Sequence, residues 1–99
     1  MVFHYFLAAP SYIRIIPSQV VIEEGNGYTL TCEADGDPAP LFEWYYKDLK
    51  IHEGAVLTIT NAVYTANDGL HTCKATNIVG SRQASVDVDV KCKFSQGVE

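Results

Sequence analysis

Between residues 67 and 80 the chain reads Asn-Asp-Gly-Leu-His-Thr-Cys-Lys-Ala-Thr-Asn-Ile-Val-Gly. That order is a turn, then a strand, then a second turn. Leu70, Thr72, Lys74 and Thr76 fall on one face of the strand, and His71, Cys73 and Ala75 on the other. A period of two with one polar face describes an antiparallel strand buried on one side only. A chain built around it must supply a second apolar surface for the Cys73 side to pack against.

The remaining sequence reads as that surface. Residues 9–17 are β-branched and aromatic between Pro10 and Pro17. Proline is tolerated at strand ends and sheet edges, so this is an edge strand that stops at Pro17. Extended structure resumes over residues 19–23. After the turn at 24–27, Tyr28, Leu30, Cys32 and Ala34 alternate with Thr29, Thr31 and Glu33, which turns Cys32 inward. In residues 41–47, Phe42, Trp44 and Tyr46 share one face and Glu43, Tyr45 and Lys47 the other. Trp44 marks the buried face. Residues 48–54 are polar and read as a short exposed strand with a turn. Leu57 and Ile59 then point inward, and Thr58 and Thr60 outward. Asn77 to Gly80 carries a hairpin signal, because Asn and Gly take up positive φ at little cost. The last strand, 84–92, buries Val86, Val88 and Val90 and exposes Ser85, Asp87, Asp89 and Lys91. Short strands with turn signals every 8–12 residues predict an all-β fold, a two-sheet antiparallel sandwich of about seven or eight strands. Residues 1–8 read as an N-terminal extension, a linker or vector remnant, residues 9–93 as the domain, and residues 94–99 as a tail.

Composition removes several functions. Twelve acidic residues against seven basic ones give a net charge of −5, and the basic residues are scattered. Nucleic-acid binding needs clustered Lys and Arg, so none is expected. No apolar run is long enough to cross a bilayer, so no direct membrane contact is expected of this stretch. His4, His52 and His71 make no metal-ligand pattern with the cysteines, and Asp35 and Asp37 fall short of a calcium loop. No metal or cofactor is expected. No Asn-x-Ser/Thr triplet is present, so N-glycosylation is not expected either.

Three cysteines leave one over if a pair forms. Cys32 and Cys73 are 41 residues apart, each inside a strand-like pattern. Closing a loop of that length is worth roughly 4 kcal/mol in the chain-entropy model. A structural disulfide also implies an oxidising compartment. Cys92 is the odd cysteine. It is read either as a buried free thiol or as a partner for a cysteine elsewhere.

Taken together, these residues resemble the immunoglobulin superfamily, specifically its I-set-like members, over about residues 9–91. The resemblance rests on Cys32, Trp44 twelve residues on, Leu57-x-Ile59, Gly69 and Cys73 in that order. Cys-Lys-Ala-Thr-Asn-Ile-Val-Gly looks like the family's Cys-x-Ala-x-Asn-x-x-Gly, and Glu24-Gly25 and Gly36-x-Pro38-x-Pro40 are also typical. It implies a Greek-key sandwich in which a Cys32–Cys73 disulfide joins the sheets and Trp44 packs on it in a core with Leu57 and Ile59. The stretch from Trp44 to Leu57 leaves room for one small strand. His71 stands where the family has its corner tyrosine, and a Tyr there is expected to stabilise the domain.

No nucleophile is paired with a base, so the chain is not read as an enzyme. The resemblance implies a non-catalytic extracellular recognition module of a cell-adhesion molecule or receptor ectodomain. Its partner would be another protein or a copy of itself. The candidate surface is the solvent face formed by Glu43, Tyr45, Lys47, Thr72, Lys74, Thr76, Asp87 and Asp89, with Tyr45 as its outward aromatic. The alternative is an intracellular I-set spacer or docking domain of a muscle or cytoskeletal protein. A third expectation is a homodimer through residues 1–8, where Phe3, Tyr5, Phe6 and Leu7 cluster.

Overall fold

A computed structural model describes residues 7–92. The proposed extension and the C-terminal tail therefore lie almost wholly outside the described residues. Eight strands and one helical turn follow in order: β1 Ile13–Ile16, β2 Val20–Glu23, β3 Tyr28–Ala34, β4 Leu41–Tyr46, β5 Leu49–Glu53, β6 Val56–Ile59, α1 Tyr64–Asn67, β7 Gly69–Thr76 and β8 Ser81–Lys91. They form a three-stranded sheet, β1-β3-β6, and a five-stranded sheet, β2-β8-β7-β4-β5.

The alternations place the core between the sheets. Leu30, Cys32 and Leu57 come from the smaller sheet, and Trp44, Cys73, Val86, Val88 and Val90 from the larger; all are buried. Ile59 packs at the margin of this cluster. Cys32 and Cys73 are joined across the sheets with a Cα separation of 6.5 Å, and Cys92 is free and half-buried.

One pairing departs from the antiparallel expectation. β2 runs parallel to β8, with Val20 opposite Val88 and Ile22 opposite Val90. β1 and β2 are one extended run interrupted at Pro17, and the chain changes sheets there without changing direction. β1 is antiparallel to β3, and β2 then meets β8 running the same way.

The single strand between Trp44 and Leu57 is β5. It pairs with β4 through a two-residue turn at Lys47 and Asp48, whose φ values are 51° and 66°. Two positive φ angles define the hairpin turn that matches strand twist. β5 thus joins the larger sheet, and the smaller sheet ends at β6.

The turn at 77–80 forms, but by a different device from the one expected. Neither Asn77 nor Gly80 has positive φ. Asn77 works through its side chain instead. Its Oδ1 accepts the Val79 and Gly80 amides at 2.9 and 3.1 Å, and its Nδ2 donates to the carbonyls of Ala8 and Pro38 at 2.7 and 2.9 Å. One amide thereby ties the β7–β8 hairpin to the β3–β4 loop and to the incoming chain. Asp35 anchors the same segment by accepting the amides of Ser11 and Tyr12 and the Ser11 hydroxyl. These bonds, the Ser11 hydroxyl foremost, hold its carboxyl below the usual range.

Candidate recognition surface and the buried corner

The solvent face of the larger sheet is built by register. Glu53, Glu43, Lys74 and Gln83 lie side by side across β5, β4, β7 and β8. Tyr45, Thr72 and Ser85 form the next row, and Leu70 and Asp87 the one after. Thr76 lies opposite Leu41 at the other end. Of the expected surface residues, Glu43, Tyr45, Thr72, Lys74 and Thr76 are therefore brought together, with Asp87 at one margin. Asp89 sits further along β8 beside Val21, in an ion pair with Lys91 at 3.2 Å. Lys47 is not on the strand. It occupies the β4–β5 turn, where its Nζ lies 5.4 Å from the centre of the Tyr46 ring.

Much of the charged part of this face is already satisfied. The Tyr45 hydroxyl donates to Glu43 at 3.0 Å, and Lys50 reaches Glu43 at 3.4 Å and Glu53 at 2.6 Å. The Thr72 and Ser85 hydroxyls are 2.7 Å apart. Lys74, by contrast, makes no ion pair among the described residues. Beside it the surface turns apolar. Leu41 and Ile78 are 78% and 80% exposed and border a shallow groove of about 550 Å³ whose other walls include Pro38, Glu43, Lys74 and Thr76. The reading from sequence passed over both. Leu41 shares parity with Glu43 and Tyr45, so its outward direction could have been read. Ile78 lies on a turn tip, where alternation carries no information.

His71 is fully buried beneath this face. Its ring sits between Tyr28 and Tyr46, with ring centres 5.8 and 5.0 Å away. Nδ1 is 3.1 Å from the carbonyl of Gly69, which can only accept, so Nδ1 carries the proton. Nε2 then accepts from the Tyr28 hydroxyl at 2.8 Å. Burial pushes that hydroxyl up to about 12, so Tyr28 keeps its proton at neutral pH. The Tyr46 hydroxyl donates to the carbonyl of Asp68 at 2.6 Å, and Asp68 accepts the Val90 amide at 2.8 Å. The corner is thus closed by His71 and Tyr46 together. A Tyr at 71 would need its longer side chain accommodated where Nε2 now meets the Tyr28 hydroxyl at 2.8 Å, so the gain expected from His71→Tyr depends on Tyr28 moving aside, and melting midpoints of the variant and native chain test it.

Burial also lowers the pKa of His71, outweighing the opposing bond to Gly69 and the field of Asp87. The unfolded chain titrates near 6.5 and the folded chain lower. The stabilisation from a neutral His71 is complete above about pH 6.5 and is lost as pH falls from there towards the lower folded value. Thermal melts between about pH 7.5 and 5 should show the midpoint of the native chain falling with acid. His71→Gln should start lower at neutral pH but fall less.

A two-sheet sandwich with a buried disulfide joining the sheets and a tryptophan opposite one of its cysteines is an immunoglobulin-like domain. The family model "Immunoglobulin I-set domain" matches residues 11–90, and the chain belongs to that family. It is 33% identical over 98 residues to neuronal growth regulator 1 of Gallus gallus, covering 87% of this chain and 27% of that protein. It is 28% identical over 94 residues to titin of Drosophila melanogaster, covering 84% of this chain and a share of titin that rounds to 0%. Roundabout homolog 1 of Rattus norvegicus is 33% identical over 93 residues, with 86% and 6% covered. The chain thus spans at most about a quarter of the length of these relatives. Among solved structures, one titled "Structural basis for Dscam isoform specificity" superimposes with a TM-score of 0.77 at 25% identity, over 85% of this chain and 21% of that one. The titin M10–obscurin-like 1 complex gives 0.71 at 24%, over 88% and 99%, a likeness of fold. Domains of this family and fold are typically non-enzymatic.

Proposed function

We propose that this domain is a non-catalytic recognition module of a cell-surface adhesion molecule or receptor ectodomain. It binds another protein, or a copy of the same one, through the solvent face of the larger sheet and the apolar tip beside it. The carrying observation is the placement of two highly exposed apolar side chains, Leu41 and Ile78, next to Lys74, which has no ion-pair partner among the described residues. Apolar anchors beside a polar rim are the usual anatomy of a protein-binding surface. The Cys32–Cys73 bond and the likeness to neuronal growth regulator 1 and Roundabout homolog 1 support an oxidising, extracellular location. The likeness to titin favours a second reading, an intracellular spacer or docking domain.

Two measurements separate these readings. Thiol titration of the denatured natural protein, kept from oxidising after lysis, should find one reactive thiol, Cys92; three would support the intracellular reading. Fluorescent tetramers of the domain should bind a panel of cell-surface ectodomains saturably. Leu41→Ser with Ile78→Ser should weaken that binding by at least about tenfold, with Tyr45→Ala costing less. Binding unaffected by all three changes would place the surface elsewhere.

A further inference from the structure

The two sheets present four edges, and three carry features that discourage strand pairing. β1 lies between Pro10 and Pro17 and contains Arg14. β2 runs into Glu23 and Glu24, and β5 carries Lys50 and Glu53. Charges and prolines of this kind are how sheet edges avoid pairing with other chains. β6 has neither. Residues 55–60 read Ala-Val-Leu-Thr-Ile-Thr, uncharged and mostly β-branched.

The ladder shows which backbone groups this edge presents. Residues opposite one another in an antiparallel pair alternate between exchanging hydrogen bonds and not doing so. The Cys32 amide donates to the Ala55 carbonyl at 2.9 Å, which makes that pair a bonded one. In the same register Leu30 lies opposite Leu57 and Tyr28 opposite Ile59, so these are bonded too. The amides and carbonyls of Val56 and Thr58, and the amide of Thr60, therefore point away from β3, towards the open side; the Thr60 carbonyl lies on the β3 side, 3.3 Å from where a Cβ on Gly27 would stand. The exposed side chains beside them are Val56, Thr58 and, across on β3, Thr29, whose hydroxyl is 3.4 Å from that of Thr58.

From this geometry we infer that β6 pairs antiparallel with β6 of a second copy about a two-fold axis at Thr58. Thr58 would face its own equivalent, and Val56 would face Thr60 of the other copy. The two Thr58 residues exchange two bonds and each Thr60 amide reaches the Val56 carbonyl of the other copy, giving about four backbone bonds. A second copy fits where an unrelated strand need not. The segment is its own uncharged, β-branched complement, as a two-fold contact requires, and a register centred on Thr58 matches every outward group except the Val56 amide. For a chain of net charge −5, this is the one edge among the described residues along which two copies bring no charged strand residue face to face. The threonine row Thr29–Thr58 would continue across the axis, a cross-strand pairing that favours sheets. The contact uses the smaller sheet and is independent of the recognition surface proposed above.

The test is sedimentation equilibrium of the whole chain up to about 1 mM. The native chain should show a reversible monomer–dimer equilibrium. Thr58→Pro removes an outward amide that β3 does not use, so it should weaken dimerisation at least about tenfold while leaving the melting midpoint within a few degrees. In a Cys92→Ser background, mild oxidation of Thr58→Cys should yield a covalent dimer much faster than Ser85→Cys on the opposite sheet. If Thr58→Pro does not fold, the crosslinking comparison decides. A native chain that stays monomeric, a dimer indifferent to Thr58→Pro, or equal crosslinking from both cysteine variants would overturn the inference.

Discussion

Replacing Cys32 and Cys73 together by alanine should lower stability by roughly 4 kcal/mol, the entropy of closing a loop of this length in the unfolded chain. For a domain of this size that corresponds to a fall of about 15–30 °C in melting midpoint. Calorimetry of the double variant against the native chain measures it. The loss is large because little else offsets it. Small domains total only about 5–15 kcal/mol, and this one has a thin core of two short-stranded layers. Both sulfurs are buried, so the bond is shielded from reductant while the fold is intact. Dithiothreitol should therefore act on the folded protein only as fast as it opens, and heating in reductant should reproduce the melt of the double variant. Cys92→Ser should stay within about 0.5 kcal/mol of the native chain, because Cys92 is half-buried at a strand end and bonded to nothing among the described residues. A double variant as stable as the native chain would mean that the sheets hold without the bond. The location argument from that bond would then lose its force.

The inward residues were legible because a sheet buried on one face writes its pattern into the chain. Leu30, Cys32, Trp44, Leu57, Cys73 and the valines of β8 are buried as their parity requires. What alternation cannot carry is where a strand ends, or which sheet it joins. Lys47 continued the outward parity of Glu43 and Tyr45, but the backbone turns left-handed there, and Lys-Asp is an uncommon pair for such a turn. That one turn sends β5 back onto β4 and leaves β6 uncovered, so the open edge could not be foreseen from β6 itself. The parallel β2–β8 pair was hidden for a similar reason. Local pattern marks Pro17 as an interruption, but only the tertiary path shows that the chain keeps its heading. The surface divides the same way. Glu43, Tyr45, Thr72 and Lys74 could be grouped from parity, but their internal bonding and the neighbouring Ile78 depend on loops folded from distant residues.

Trp44→Ala should cost about 3–5 kcal/mol, comparable to loss of the disulfide, through lost burial and the cavity left behind. Trp44 is completely buried and stands directly opposite Cys73 in the β4–β7 ladder. Its indole N–H donates to the Ala55 carbonyl at 3.3 Å, a carbonyl that also accepts the Cys32 amide at 2.9 Å. Trp44→Phe removes the indole donor without orphaning that carbonyl, so it should cost only about 1 kcal/mol more than its lost area. The gap between the two variants in guanidinium midpoints separates packing from hydrogen bonding. Combining Trp44→Ala with the cysteine double variant then asks whether bond and ring act as one unit. Additive losses would reach about 8 kcal/mol, enough to unfold most domains of this size. Neighbouring groups rarely add, and freed cysteine positions can close into the cavity left by the indole. The combined loss should therefore fall short of the sum by about 1 kcal/mol or more. Full additivity would mean that the indole is held by the sheets alone, with the disulfide bracing a wall the ring does not lean on.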